Sequence, residues 1–146
     1  MIAEFRGKYR FLSNFYKVVI YHDGIPYPSV EHAFQSAKCD DQEWKEYCSN
    51  PNVTCAEVKQ KAKTVNLRPD WEKIKQRIMY QCLYQKFSRE PFRTKLLQTG
   101  NSYLQEGNHW DDSYWGFDLK LNKGENILGR LLMKIRHFIR YNIAPQ

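Results

Sequence analysis

The alternation of apolar and polar residues near the start of the chain predicts a short β-hairpin followed by a helix. β-Branched and aromatic residues occupy positions 18–21 and, with Pro26 between them, positions 25 and 27, on either side of Asp23 and Gly24. An Asp-Gly pair between two such runs is a strong signal for a tight hairpin turn. Ser29 then precedes a segment with helical periodicity, and serine is a favoured N-cap residue. We therefore expect a hairpin that ends just before a helix.

The helix predicted over residues 30–38 carries its polar side chains in an unusual place. At about 100° per residue its apolar side chains form one stripe, which consists of Val30, Ala33, Phe34 and Ala37. Glu31, Gln35 and Lys38 recur at i, i+4 and i+7, within an arc of roughly 60° directly beside that stripe. A solvated helix normally places its charges opposite the apolar stripe. An acid, an amide and an amine at its edge therefore predict a functional site.

Two simpler interpretations apply to this helix. Glu31 near the N-terminus of a helix can be a favourable partner of the helix dipole, and Lys38 can pair with it. The two residues stand two turns apart, however, which suits a pair that brackets a ligand better than a helical ion pair. His32 points elsewhere on the helix and is interpreted as a structural, hydrogen-bonded histidine.

Further helices are predicted between residues 54 and 140. Thr54 and Glu57 form a capping box that opens a short helix. Asp70 caps a longer helix, whose apolar positions are assigned to the core: Trp71, Ile74, Ile78, Cys82, Leu83 and Phe87. A short helix then ends before Gly100, and an amphipathic helix starts near Asn126, carrying basic residues away from its apolar stripe or at its edge. These elements predict an α+β fold, predominantly α-helical, with a small β-hairpin and short strands, as a single domain over residues 1–146.

Composition favours an anionic partner. The chain has 146 residues and a formal net charge of +7, which suits a phosphorylated metabolite or a nucleic acid, although a soluble protein can also simply be basic. No apolar run approaches the roughly 18–20 residues that span a bilayer, and residues 1–11 lack the apolar region of a signal peptide. The four cysteines and four histidines show neither disulfide nor zinc spacing. We expect a soluble cytoplasmic protein with reduced thiols, no metal, no cofactor and no membrane partner.

Two other clusters combine polar and aromatic side chains. Residues 6–16 mix cations, which suit phosphate, with aromatic faces, which suit a base; the alternative is a strand and turn with solvated charges. Residues 110–116 join aromatic rings with carboxylates. In a sugar or nucleoside site, rings cover the sugar or base and a carboxylate stabilises positive charge at the anomeric carbon. The alternative here is a buried strand residue, Trp115, followed by a tight turn at Gly116.

The sequence lacks the motifs of several other common classes of enzyme. It contains no P-loop, no G-x-G-x-x-G and no G-x-S-x-G motif, so nucleotide hydrolases, Rossmann enzymes and serine hydrolases are not indicated.

Taken together, the motifs resemble the NADAR family, also called YbiA-like. The resemblance rests on ordered segments that span essentially the whole chain: FLSNF at 11–15, YPSVEHAFQ at 27–35 with Lys38, DSYWG at 112–116, and NILGRLLM at 126–133 with Arg136. It implies a compact, mostly helical domain that hydrolyses N-glycosidic bonds. Some members act on phosphoribosylated intermediates of riboflavin synthesis, and others remove ADP-ribose from guanine bases in nucleic acid.

The resemblance also implies residue roles. Glu31 and Trp115 would be key active-site residues, Asp112 would lie beside Trp115, and Lys38 would reach the ribose. With the two clusters above, the predicted ligand-binding residues are Arg6, Ser13, Asn14, Phe15, Gln35, Trp110, Gly116 and Asn126. Glu31 is the candidate general acid/base, with a pKa raised by burial. Lys38 is expected to stabilise phosphate or to form a Schiff base with a ring-opened ribose.

The basic charge favours ADP-ribosylated guanine in nucleic acid as the substrate. A riboflavin-pathway intermediate, or another nucleotide-like small molecule, is the alternative. A non-catalytic module that binds NAD or ADP-ribose is an alternative from a different class. The partner is thus expected to be an ADP-ribosylated nucleic acid or a nucleotide-like small molecule.

Overall fold

The computed structural model describes residues 1–143, and these divide between two compact units. The central unit is Asn14–Lys86, and the terminal unit joins Met1–Ser13 to the chain from Phe87 onward. Helices dominate both units, and each unit also contains a small strand pair. The predicted α+β, predominantly helical fold class is confirmed. The prediction of a single domain over residues 1–146 stays a prediction.

The central unit begins with the predicted hairpin. Strands β1 (Ile20–His22) and β2 (Ile25–Tyr27) pair in antiparallel fashion, with Ile20 opposite Tyr27. Both turn residues have positive φ, 50° at Asp23 and 78° at Gly24. This conformation matches a two-residue hairpin turn whose twist fits the flanking strands. The hairpin prediction is confirmed.

Helix α1 (Val30–Ser36) follows the hairpin and is capped as predicted, since the Ser29 side chain accepts a hydrogen bond from the His32 amide. Every residue of α1 is buried, because the helix packs against the hairpin and against α2 (Gln42–Ser49) and α3 (Cys55–Lys61). Burial therefore extends beyond the apolar stripe to the polar residues Glu31 and Gln35 at its edge. It places polar side chains of α1 in a medium that solvates charge poorly.

The remaining predictions for the central unit concern helix starts and core positions. The capping box of Thr54 and Glu57 is present at the start of α3, which a 3₁₀ turn, Ala62–Thr64, follows. Helix α4 (Trp71–Phe87) begins after Asp70, whose backbone carbonyl accepts from Ile74 N while its carboxylate pairs with Arg68. Its predicted core positions are all buried. The predictions of the capping box and of the core positions are confirmed, and the prediction that Asp70 caps α4 stays a prediction.

The terminal unit contains a 3₁₀ helix at Gly7–Leu12, where a strand and turn was the alternative interpretation. The unit also contains the helices α5 (Phe92–Gln98) and α6 (Ile127–Arg140). Between them, β3 (Gly107–Asn108) and β4 (Phe117–Asp118) form a short parallel pair. Within residues 1–143, none of the helices is both long enough and apolar enough to cross a membrane.

Helix α6 packs tightly through its apolar stripe, but one basic residue departs from the expected pattern. Leu132 and Ile135 are fully buried. Arg136 is also buried, and its guanidinium donates to Thr99 Oγ1 at 2.8 Å. A Cβ at Gly129 would lie 2.1 Å from the Leu104 carbonyl oxygen, so only glycine permits this close approach.

Candidate active site

Glu31 lies in the first turn of α1, with a relative exposure of 6%. Its backbone amide donates to the Asn14 carbonyl at 3.1 Å. Its carboxyl oxygen Oε1 accepts a hydrogen bond from Gln35 Nε2 at 2.8 Å. The i, i+4 spacing seen in the sequence therefore becomes a direct contact that holds the carboxyl in one orientation.

Burial raises the pKa of Glu31, and this effect outweighs the hydrogen bond from Gln35 and the positive charges of Lys59 and Lys38, which lower it. Removing a carboxylate from water penalises its charged form. Glu31 therefore keeps its proton to a higher pH than an ordinary glutamate. A carboxyl whose pKa is raised in this way is better suited than an ordinary glutamate to donate a proton to a leaving group.

Lys38 lies just beyond the end of α1, after the C-cap residue Ala37. Its Nζ is 5.8 Å from the centroid of the Phe34 ring and 6.0 Å from that of Trp71. Its backbone is held at both ends, because its amide donates to Gln35 O at 3.2 Å and its carbonyl accepts from Arg68 N at 2.8 Å. The ammonium is thus fixed against two aromatic faces.

The pKa of Lys38 is lowered, mainly because burial disfavours the charged amine. The charge of Glu31 opposes this effect, while the charges of Lys59 and Lys75 add to it. A larger fraction of the neutral amine is then available at neutral pH, which is what a nucleophilic lysine requires. The structure brings Glu31 and Lys38 into electrostatic contact with each other.

Lys59 is a member of this group that the sequence analysis does not identify. It lies on α3, and its charge interacts with both Glu31 and Lys38. Its Nζ is 5.9 Å from the centroid of the Phe15 ring, which is 41% exposed. Nothing in the local spacing of α3 points to this role, because the packing of α3 against α1 is what brings Lys59 close.

His32 is a structural residue, as predicted. Its Nε2 lies 2.6 Å from the Val53 carbonyl, and a carbonyl only accepts, so this nitrogen carries the proton. Nδ1 therefore accepts from the Ser29 hydroxyl at 2.6 Å. The histidine ties the start of α1 to the segment before α3. Its nitrogens are engaged in holding the fold.

The predicted residues of the segment 110–116 lie in the terminal unit. Asp112 Oδ1 accepts from the amides of Tyr114 at 3.2 Å and Trp115 at 3.0 Å, so it orders the turn that leads to Trp115. The fully buried Asn108 supports the segment, since its Nδ2 donates to the Asp112 carbonyl at 2.8 Å and its Oδ1 accepts from the Asp112 amide at 3.1 Å. The sequence analysis does not identify Asn108, because its contacts with the Asp112 backbone form only when this loop is folded.

Trp110 and Gly116 are the other predicted site residues of this segment. Trp110 is 58% exposed. A Cβ at Gly116 would lie 2.4 Å from the Glu106 carbonyl oxygen, so glycine is required there. Their predicted ligand contacts stay predictions.

Asn126 is the N-cap residue of α6 and adopts the left-handed conformation with φ 51°. Its Oδ1 accepts from the Glu106 amide at 2.9 Å, and its Nδ2 donates to the Leu104 carbonyl at 2.8 Å. These contacts give Asn126 a structural role in fixing the start of α6. Its predicted ligand-binding role stays a prediction.

The two N-terminal predictions also lie in the terminal unit. Arg6 is exposed and pairs with Glu4 at 3.5 Å. Ser13 follows the 3₁₀ helix, and its amide donates to Arg10 O at 2.9 Å. Among residues 1–143, no cluster of at least three His, Cys, Asp or Glu side chains is arranged to hold a metal ion.

The structure thus divides the predicted site residues between the two units. Those in the central unit are Asn14, Phe15, Glu31, Gln35 and Lys38. Those in the terminal unit are Arg6, Ser13, Trp110, Asp112, Trp115, Gly116 and Asn126. Within the central unit, Glu31 contacts Asn14 and Gln35 directly, which makes the polar edge of α1 a continuous, buried group.

Comparison with known proteins gives consistent results. The model of the NADAR domain matches residues 3–140. The N-glycosidase YbiA of Escherichia coli (strain K12) is 37% identical over 128 residues, covering 85% of this chain and 78% of that protein. The riboflavin biosynthesis protein VVA0006 of Vibrio vulnificus is 35% identical over 145 residues, covering 92% of this chain and 38% of that protein.

A solved structure is also similar. The NMR structure of the E. coli protein YbiA superposes with a TM-score of 0.81 and 31% sequence identity, covering 93% of this chain and 81% of that chain. Similarity therefore extends over nearly the whole chain in both sequence and fold.

Proposed function

Since the chain belongs to the NADAR domain family, we propose that this N-glycosidase removes ADP-ribose from ADP-ribosylated guanine in nucleic acid. The observation that carries the proposal is a buried carboxyl, Glu31, with a raised pKa next to a desolvated amine, Lys38. Cleavage of an N-glycosidic bond needs a proton for the leaving base and stabilisation of positive charge at the anomeric carbon. A carboxyl that keeps its proton and an amine whose charge interacts with it would supply these two needs.

In the proposed reaction Glu31 first acts as a general acid. Its proton passes to the nitrogen of the base, and the bond from that nitrogen to the anomeric carbon breaks with its electron pair going to the base. Water then forms the new bond to the anomeric carbon and gives a proton to the Glu31 carboxylate, which restores the acid. The hydrogen bond from Gln35 Nε2 holds the carboxyl in place throughout.

Lys38 has two possible functions in this scheme. As a cation it would attract the phosphates of the substrate. As a neutral amine it would attack the anomeric carbon of the ring-opened sugar, which is joined to the base nitrogen as an imine. The bond to that nitrogen then breaks, the base leaves as the free amine, and the carbon stays on Lys38 as an imine that water hydrolyses to the aldehyde and the free lysine. Its lowered pKa supports the second function.

Trp115 and Asp112 remain proposed active-site residues through the family resemblance. The contacts of Asp112 support a positioning function, because its carboxylate accepts from the backbone amide of Trp115. We therefore assign the chemistry to α1 and the ordering of the Trp115 turn to Asp112.

The net charge of +7 supports a polyanionic substrate, because basic proteins attract phosphate backbones. The second candidate is a phosphoribosylated intermediate of riboflavin synthesis. The similarity to a protein named for riboflavin biosynthesis favours that candidate.

Separate incubations with an ADP-ribosylated guanine oligonucleotide and with a phosphoribosylaminopyrimidine distinguish the two substrates. Released base and sugar are measured by mass spectrometry, with a Glu31→Gln variant as the control for contaminating activity. We expect the oligonucleotide to be cleaved with a kcat/KM at least about tenfold higher, a difference of roughly 1.4 kcal/mol in transition-state stabilisation. The reverse order would support the riboflavin intermediate, and cleavage of neither would contradict the N-glycosidase function.

A further inference from the structure

Two residues that hydrogen-bond to Glu31, Asn14 and Gln35, each have a side-chain oxygen that is buried without a hydrogen-bond donor. Asn14 is 8% exposed and Gln35 is 4% exposed. Neither Asn14 Oδ1 nor Gln35 Oε1 has a hydrogen-bond partner anywhere in residues 1–143. Buried polar atoms in folded proteins are almost always paired, because a buried acceptor without a donor loses its hydrogen bonds to water. Both exceptions belong to residues that hydrogen-bond to Glu31, and they call for a common explanation.

Both residues are hydrogen-bonded to Glu31, Gln35 through its side-chain nitrogen and Asn14 through its backbone carbonyl. Gln35 Nε2 donates to Glu31 Oε1 at 2.8 Å, which directs Gln35 Oε1 away from the carboxyl. The Asn14 carbonyl accepts from the Glu31 amide at 3.1 Å, and Asn14 Nδ2 contacts Met79 Sδ at 3.5 Å. The nitrogen of each amide is therefore occupied, and the oxygen of each is left to accept.

A ligand that satisfies these oxygens must donate hydrogen bonds. Ionised phosphates and carboxylates only accept, so they do not fit. Hydroxyl groups do fit. Neutral amides also suit this position better than further acids, because another carboxylate beside Glu31 would place like charges together in a buried site.

We propose that Asn14 and Gln35 accept hydrogen bonds from the vicinal hydroxyls of the ribose and so select ribose over 2-deoxyribose. The inference rests on the proposed function, which puts the anomeric carbon next to Glu31. The 2-hydroxyl, on the ring carbon bonded to the anomeric carbon, and the 3-hydroxyl on the next carbon are the hydroxyl donors nearest to that centre, and both candidate substrates carry them. Hydrogen bonds to the 2-hydroxyl strengthen in the transition state of glycoside cleavage, so these residues act on turnover as well as on binding.

Calorimetric titration of the protein with ADP-ribose and with ribose 5-phosphate, each compared with its 2-deoxyribose analogue, tests the proposal. We expect the wild type to bind the ribose form at least about tenfold more tightly, since a site built to bind a hydroxyl rejects a ligand that lacks it. Because 2-deoxyribose lacks only the 2-hydroxyl, the preference should fall to within about threefold in whichever variant, Asn14→Leu or Gln35→Met, removes the acceptor of that hydroxyl. Gln60 is an exposed glutamine on α3, so Gln60→Met is the matched control. This variant should keep the full preference for ribose over 2-deoxyribose.

Each outcome bears on a separate statement. Equal affinity of the wild type for ribose and deoxyribose ligands overturns the proposal, even if both variants fail to fold, and so does the absence of binding to either ribose ligand. A preference that persists in both variants assigns it to other residues and also overturns the proposal. Ribose-selective binding without cleavage of any N-glycoside would contradict the proposed function and leave this inference standing. Equal cleavage of ribose and deoxyribose substrates would contradict this inference and leave the proposed function standing.

Discussion

Replacing Glu31 with glutamine is expected to lower kcat by about 10²- to 10⁴-fold while changing ligand affinity by less than about threefold. Glutamine has the same shape as a protonated glutamate, and its carbonyl can still accept the hydrogen bond from Gln35 Nε2. It has no acidic proton to give to the leaving base. Single-turnover release of the base measures the first effect, and titration with ADP-ribose measures the second.

Glu46→Gln is the matched control, because Glu46 is an exposed carboxylate on α2. It should keep wild-type turnover. Glu31→Gln should also be at least as stable as the wild type at neutral pH. The folded pKa of Glu31 is raised, so its ionisation weakens the fold as pH rises from the ordinary glutamate value through the folded one. A Glu31→Gln variant with more than about one third of wild-type turnover would reject the general-acid function.

Replacing Lys38 with methionine is expected to lower kcat by about 10²- to 10⁴-fold. Methionine keeps an unbranched side chain against Phe34 and Trp71 but has no amine. If the neutral amine forms an imine with the ring-opened ribose, borohydride reduces that imine to a stable secondary amine. Mass spectrometry of wild-type protein quenched during turnover should then find the sugar on Lys38.

Lys63→Met, at an exposed position of the 3₁₀ turn after α3, is the control for the general loss of a positive charge. It should keep nearly full activity and the same adduct. Active wild-type enzyme that gives no adduct would reject the imine and leave Lys38 an electrostatic function. Full activity of Lys38→Met would remove Lys38 from the mechanism altogether.

Elements set by local chemistry are the ones that the sequence predicts correctly. The Asp23-Gly24 pair specifies its hairpin because both residues tolerate positive φ. Thr54 and Glu57 specify the start of α3 because the side chain of each accepts a hydrogen bond from the backbone amide of the other. In these cases the interacting groups are only a few residues apart, so their spacing in the sequence contains the information.

Contacts between distant residues are not visible in the same way. The positive charge of Lys59 interacts with Glu31 because α3 packs against α1. The pairing of His32 with the Val53 carbonyl, at 2.6 Å, likewise depends on the tertiary fold. The periodicity of α6 does not predict that Arg136 is buried, because its partner Thr99 lies on another part of the chain.

Helix α1 has features that its local sequence predicts and others that depend on distant residues. Its periodicity predicts the helix and groups Glu31, Gln35 and Lys38 at the edge of the apolar stripe. It does not predict that neighbouring elements cover every face of the helix. That burial raises the pKa of Glu31, lowers the pKa of Lys38 and leaves amide oxygens without donors. The chemistry proposed for α1 therefore depends on the fold around it.

The central claim is that burial keeps Glu31 protonated at the pH where the leaving base needs a proton. Carbon-13 NMR of protein labelled at its glutamate carboxyl carbons measures this directly, with the Glu31→Gln spectrum identifying the signal. We predict that the Glu31 carboxyl titrates above the ordinary glutamate value of about 4.3, in the direction that its burial gives. A Glu31 signal that titrates at or below that value would show an ionised carboxylate at neutral pH, and would contradict the general-acid mechanism.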